Sequence, residues 1–121
     1  MSVINYSMGQ KYLFYILILS FLLPSIKPVN NSMINYTHVL FEWDKIADIS
    51  EYNLLVTFNN NTILDITTSN LFYVDENNIN WNNTYSWKVC KSSDSSICSN
   101  SYSFSTGSEI DLGDMNLTIY D

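Results

Sequence analysis

The sequence predicts an all-β fold, an antiparallel sandwich of two sheets, and three observations carry that expectation. Period-two alternation recurs in short runs, at Thr37–Trp43, Glu51–Phe58, Tyr85–Val89 and Ser101–Thr106, each with its large apolar residues on one side. Aromatic residues make up 15% of the 121 residues, and nine Tyr with three Trp favour strands over helices. The turns are written without glycine: none of the three Gly lies between Gly9 and Gly107. Asn takes that role, because its short side chain bonds locally and tolerates the left-handed backbone. Asn59–Asn61, Asn77–Asn78 and Asn82–Asn83 each fall between apolar runs and are expected to turn the chain.

The elements follow in order. Residues 28–36 are polar and Asn-rich, a linker into a weak first strand. In Thr37–Trp43 the alternation points Val39, Phe41 and Trp43 into the core. Residues 44–50 form a loop, with Ile46 and Ala47 expected beneath it. Glu51–Phe58 then puts Tyr52, Leu54, Val56 and Phe58 on one face and Leu55 on the other. Thr62–Thr67 and Leu71–Val74 read as two short strands. Ile79 precedes a corner at Trp81-Asn82-Asn83, after which Tyr85, Trp87 and Val89 face in and Ser86 and Lys88 face out. A Tyr just past such a corner can bury its ring and return its hydroxyl to nearby backbone, as in the tyrosine corner of β-sandwiches. Ser101–Thr106 adds Phe104, completing a predicted core of Val39, Phe41, Trp43, Tyr52, Leu54, Val56, Tyr85, Trp87, Val89 and Phe104.

The beginning of the chain has a different composition. Lys11 precedes the apolar run Tyr12–Leu23, which Pro24 ends. About a dozen apolar residues fall short of the roughly 20 that a spanning helix needs. A basic residue before a short apolar core is the pattern of an export signal. Residues 1–25 are therefore expected to be a signal peptide cleaved near Ser25 or, because Leu23 is large for a cleavage site, a retained signal-anchor. The protein is expected at the cell surface or secreted, touching membrane only through this segment.

Cysteine usage agrees with export. Cys90 and Cys98 flank Lys91–Ile97, and His38 is the only histidine, so a zinc ligand set is missing. The Cys-x-x-Cys spacing of redox pairs is missing as well. A structural disulfide across a hairpin, joining the last two strands, fits best. Asn30, Asn35, Asn60, Asn82 and Asn116 each begin an Asn-x-Ser/Thr triplet and could carry glycans in an exported protein, although an Asn-rich chain also produces such triplets by chance.

Charge and motifs exclude several functions. The net charge is -7 and Arg is absent, so nothing could neutralise a row of phosphates and no nucleic-acid partner is expected. No phosphate loop, dinucleotide fingerprint or nucleophile elbow occurs. His38 sits at a strand start with no catalytic neighbours to name. Asp44, Asp48 and Glu51 read as a solvated loop, and Asp75–Asn78 lacks the spacing, Gly and distal Glu of a calcium loop. No catalytic, cofactor-binding or metal-binding residue is therefore expected, and no cofactor.

Several of these residues form a recognisable set: Ile79 and a short turn before Tyr85-x-Trp87-x-Val89, the inward Trp43, Tyr52-x-Leu54-x-Val56, and Phe104-x-Thr106. Over residues 30–106 this pattern resembles the fibronectin type III domains, particularly those of bacterial and archaeal surface proteins. The resemblance implies an immunoglobulin-like, seven-stranded antiparallel β-sandwich over residues 26–106. It also implies a non-catalytic role, as a spacer or as a module that binds another protein domain or a surface glycan. Residues 107–121 then read as a linker or the start of a following domain. Met115, Leu117 and Ile119 alternate as in a strand, one expected to pair with a domain beyond the sandwich. The run Asp111–Thr118 after such a sandwich resembles the entry into secreted arylsulfotransferase-like proteins, so the front portion of a larger exported enzyme is the alternative reading.

Overall fold

The computed structural model describes residues 26–110. The expected export segment, the triplet at Asn116 and the alternation Met115–Ile119 lie outside the described residues. Eight strands follow one another: β1 (Ser32–Ile34), β2 (Val39–Glu42), β3 (Tyr52–Phe58), β4 (Asn61–Thr68), β5 (Phe72–Asp75), β6 (Thr84–Lys91), β7 (Asp94–Cys98) and β8 (Tyr102–Thr106). No helix occurs among the described residues. The larger sheet runs β1-β8-β6-β3-β4 with β7 also on β6, and β2 pairs with β5 in the smaller one. The described residues form an all-β fold of two sheets, arranged as a sandwich.

Two details differ from the seven antiparallel strands expected. β7 and β8 lie along the same edge of β6, β7 opposite Cys90–Lys91 and β8 opposite Thr84–Trp87. The ladder breaks between them because Ser99 substitutes for it: its hydroxyl accepts from the Val89 N–H at 3.1 Å, while its own N–H donates to the Val89 carbonyl at 2.8 Å. The last strand is thus split in two, and the disulfide joins β6 to β7 rather than to the final strand. The second difference lies at the start. Lys27 pairs with Glu42 beside β2, the chain then crosses to the other sheet, and β1 runs parallel to β8. The weak first strand expected within residues 28–36 is β1, held by Asn30 and Asn31, whose side-chain oxygens accept from Ser103 N–H and Ser103 Oγ at 2.9 and 2.8 Å.

The core lies between the sheets. Val39, Phe41, Trp43, Tyr52, Leu54, Val56, Tyr85, Trp87, Val89 and Phe104 are all buried, joined by Ile34, Ile49, Leu64 and Ile79. Alternation explains most of the first set: β2 and β3 bury every second residue, as does β6 as far as Val89, after which Cys90 is buried too. In the loop before β3, Ile49 is the fully buried residue, Ile46 is half-buried and Ala47 is exposed, contrary to the expected pair. The reason is Tyr52, whose hydroxyl accepts from Ile46 N–H at 3.1 Å and donates to the Ile49 carbonyl at 3.4 Å, drawing the loop down at Ile49. Lys88 lies on the outward face opposite Leu55 and is half-buried there.

Asn makes turns in two ways. Asn59 and Asn60 both have positive φ, 50° and 63°, and join Phe58 to Asn61 as the two-residue type I′ turn that suits the twist of a hairpin. Asn82 has φ 59° at the corner before β6. Asn77 and Asn78 do not adopt that conformation. Their turn is closed by Asp75, whose carboxylate accepts from the Asn78 N–H at 2.9 Å and side-chain amide at 2.6 Å. A buried carboxylate at the start of the turn replaces the left-handed residue.

Candidate functional site

The most densely bonded region is the corner preceding β6. The Tyr85 hydroxyl accepts from the Asn80 N–H at 2.7 Å and from the Asn83 side-chain amide at 3.1 Å. Thr106, at the end of β8, adds a second fastening: its hydroxyl donates to the Asn80 carbonyl at 2.6 Å and accepts from the Asn83 N–H at 3.1 Å. Gly107 supplies a third, accepting from Asn82 N–H at 3.0 Å and donating to the Ile34 carbonyl at 2.9 Å. A Cβ on Gly107 would stand 2.6 Å from the Asn35 Oδ1, the end of an exposed side chain that would have to swing aside. The alternation points to Tyr85 and puts Thr106 on the face of Phe104, but it does not show what the Thr106 hydroxyl bonds. Its partners lie far away in sequence, beyond the reach of local patterning.

At the opposite end Cys90 and Cys98 face each other directly in the β6–β7 pairing and are disulfide-bonded, with Cα atoms 3.9 Å apart. Cys90 is buried and Cys98 half-buried, so the bond clasps the hairpin to the core edge. The hairpin tip is closed by Asp94, whose carboxylate accepts from Ser96 Oγ at 2.6 Å and Ser96 N–H at 3.0 Å. These two bonds, the hydroxyl first, hold the Asp94 carboxyl below the usual carboxylate range, with a smaller contribution from Lys91.

The remaining sequence candidates are dispersed. His38 is exposed, as are Asp44, Asp48 and Glu51, the last accepting from Ser92 Oγ at 2.8 Å. No group of three or more His, Cys, Asp or Glu side chains among the described residues is placed to hold a metal. Asn30, Asn35, Asn60 and Asn82 are all exposed, and Asn60 stands at the tip of the β3–β4 hairpin.

Two concavities border the small sheet. One, of about 350 Å³, lies between the Trp43–Ile46 segment and Ser99–Tyr102, with Asp44, Lys45 and Asn100 among its polar lining. Trp43 is only 2% exposed, so the indole forms part of the wall and offers no open stacking face. The other, of about 450 Å³, opens where the chain leaves β2 for β8 and is lined by Val29, Ile34, Tyr36 and Leu40 among others.

The outer faces of the two sheets differ in character. On the large sheet the outward residues of β3 and β4 are mostly polar, and Asn53 links Asp65 and Thr67 through bonds of 2.6 Å each. On the small sheet Phe72 and Val74 are 50% and 46% exposed, and they stand opposite Glu42 and Leu40. Alternation fixes this: Val39 and Phe41 are buried, so Leu40 and Glu42 look outward with their partners. Comparison of this chain with known protein families, curated proteins and solved structures returned no match.

Proposed function

We propose that this chain is an exported, non-catalytic module of the fibronectin type III kind, acting at the cell surface or outside the cell as a spacer or as a binder of another protein domain or a glycan. The observation that carries the reading is the Tyr85 corner on a strand that the Cys90–Cys98 disulfide clasps at its far end. The corner supports an immunoglobulin-like sandwich, and the disulfide belongs to an oxidising compartment. Counting β7 and β8 as one interrupted strand gives seven strands in two sheets, with β2 and β5 opposite β3, β4 and β6. Exposed Asn30, Asn35, Asn60 and Asn82 leave the surface open to glycans in a host that adds them.

The test is location. The full chain, expressed with its own N-terminal residues and a C-terminal epitope, is expected in the medium or on intact cells, where external antibody and protease reach it. A chain protected from both until the cells are lysed overturns the reading.

A further inference from the structure

β7 has little besides the disulfide to hold it in place. It meets β6 at two positions, Cys98 opposite Cys90 and Asp94 opposite Lys91. Asp94, Ser95, Ser96 and Ile97 are exposed, and no residue of β7 is part of the hydrophobic core cluster. A two-stranded hairpin that buries no apolar side chain is marginal in water, so the covalent bond is what keeps β7 on β6. Ser99, just beyond it, is tied separately by its two bonds with Val89. Cys98 and Ser99 also line the cavity of about 350 Å³, together with Trp43, Val89 and Tyr102. Trp43 is 2% exposed there, and its indole N–H is buried without a hydrogen-bond partner among the described residues.

We propose that the Cys90–Cys98 bond is a redox-controlled latch: a dithiol reductant opens it, β7 leaves β6, and the cavity widens beside Trp43 while the two sheets stay folded. Cys98 is the half-buried partner and Cys90 the buried one, so the thiolate of the reductant attacks the Cys98 sulfur. The electron pair of the broken S–S bond goes to Cys90, which takes up a proton. The second thiol of the reductant then attacks the mixed disulfide, leaving Cys98 as a thiol and the reductant as its own disulfide. One dithiol is oxidised for each protein disulfide reduced, and its two protons end on the two cysteines. The pairing of β6 with β3 and β8 uses no residue of β7, so the sheets keep their ladders. Withdrawal of Cys98 from the cavity wall gives the Trp43 indole N–H access to water, the acceptor it lacks in the closed form. An unpaired buried donor is costly, so this relief favours opening once the bond is cut. The Ser99–Val89 bonds keep Cys98 close to its partner, so reoxidation restores the same pair. The latch serves a spacer or a binder alike and needs only a dithiol where the chain resides.

The test applies a lysine-specific protease to the folded full chain with and without dithiothreitol, the reduction confirmed by thiol titration of a denatured sample. Lys91 is the last lysine of the chain and stands where β6 passes into the β7 hairpin, so cleavage after it reports on β7. Reduction is expected to speed that cleavage at least roughly ten-fold, because cleavage follows the population of the open form. The near-ultraviolet circular dichroism of the core aromatics is expected to persist, and tryptophan emission to move to longer wavelength. Trp43→Phe is expected to remove the emission shift and keep the change in cleavage. The double variant Cys90→Ala with Cys98→Ser is expected to be cleaved at the fast rate whether or not dithiothreitol is present, which keeps the test decisive where Trp43→Phe does not fold. A reduced chain that loses its near-ultraviolet spectrum overturns the proposal, because the bond then holds the whole fold. Equal protection of Lys91 before and after reduction overturns it too, as does an emission spectrum that reduction leaves unmoved.

Discussion

The Tyr85 hydroxyl accepts the Asn80 N–H at 2.7 Å, closing the five-residue span that leads into β6 while its ring stacks on Phe104 at 5.3 Å. One side chain therefore holds a loop and joins two strands of the core. Tyr85→Phe keeps the ring and removes the hydroxyl, leaving Asn80 N–H without that acceptor. A loss of about 1 kcal/mol in unfolding free energy is expected, read by urea denaturation with an unchanged slope. No loss would mean that the corner is held by Thr106 and Gly107 alone.

Trp87 is the larger core anchor. It is 1% exposed, meets Phe41 edge-on at 5.4 Å and lies 4.9 Å from Tyr102. Trp87→Ala should cost roughly 3–5 kcal/mol, enough to unfold many domains of this size at room temperature. Circular dichroism and calorimetry would show it. Ser86→Ala, next to it and outward-facing, is expected to change stability by less than about 0.5 kcal/mol. Similar losses in the two variants would mean that the strand register is wrong.

Alternation made much of this fold legible. Val39 and Phe41 on β2 with Trp43 just past its end, Tyr52, Leu54 and Val56 on β3, and Tyr85, Trp87 and Val89 on β6 are buried because each set keeps to every second place along a half-buried stretch. What escaped depends on distant partners. Ser99 splits the last strand by bonding to Val89, and nothing in Ser99-Asn100-Ser101 distinguishes it from a strand residue. The crossing from β2 to β8 escaped for the same reason, since β1 pairs with residues some seventy positions later. The outward Phe72 and Val74 were visible only as a short apolar run. Alternation says that they face away from Tyr73, but only the β2 register places Glu42 and Leu40 beside them.

The turn at Asp75 gives a substitution test that separates the two kinds of Asn turn. Asp75 is buried and accepts both Asn78 bonds. Asp75→Ala leaves the Asn78 N–H unpartnered and should cost about 1–3 kcal/mol. Asn59→Gly, in the type I′ turn, should be nearly neutral because Gly accepts the same positive φ. Comparable costs for the two would contradict this division.

Acid should loosen the β6–β7 hairpin locally. The Asp94 carboxyl is held below its ordinary range in the fold by Ser96, so its contribution is present above the unfolded carboxylate range and lost as pH falls through the folded value. Asp94 is fully exposed, so the effect belongs to the tip and not to the whole domain. Amide chemical shifts of Ser95 and Ser96 followed through an acid titration should move together at a midpoint below that of a free carboxylate. A midpoint at or above it would contradict the assignment.

The Cys90–Cys98 bond closes a loop with a sequence separation of 8 residues, for which chain entropy gives about 2–3 kcal/mol. It also makes the central claim, an exported module clasped by a disulfide, directly measurable. The measurement is the intact mass of the full chain recovered from an exporting cell, with and without alkylation under non-reducing conditions. The account predicts a chain that has lost residues 1 to about 25, by the signal-length argument, and that takes up no alkylating reagent until it is reduced, when both cysteines react. A chain with two freely alkylatable thiols, retained in the cell with Met1 in place, would contradict it.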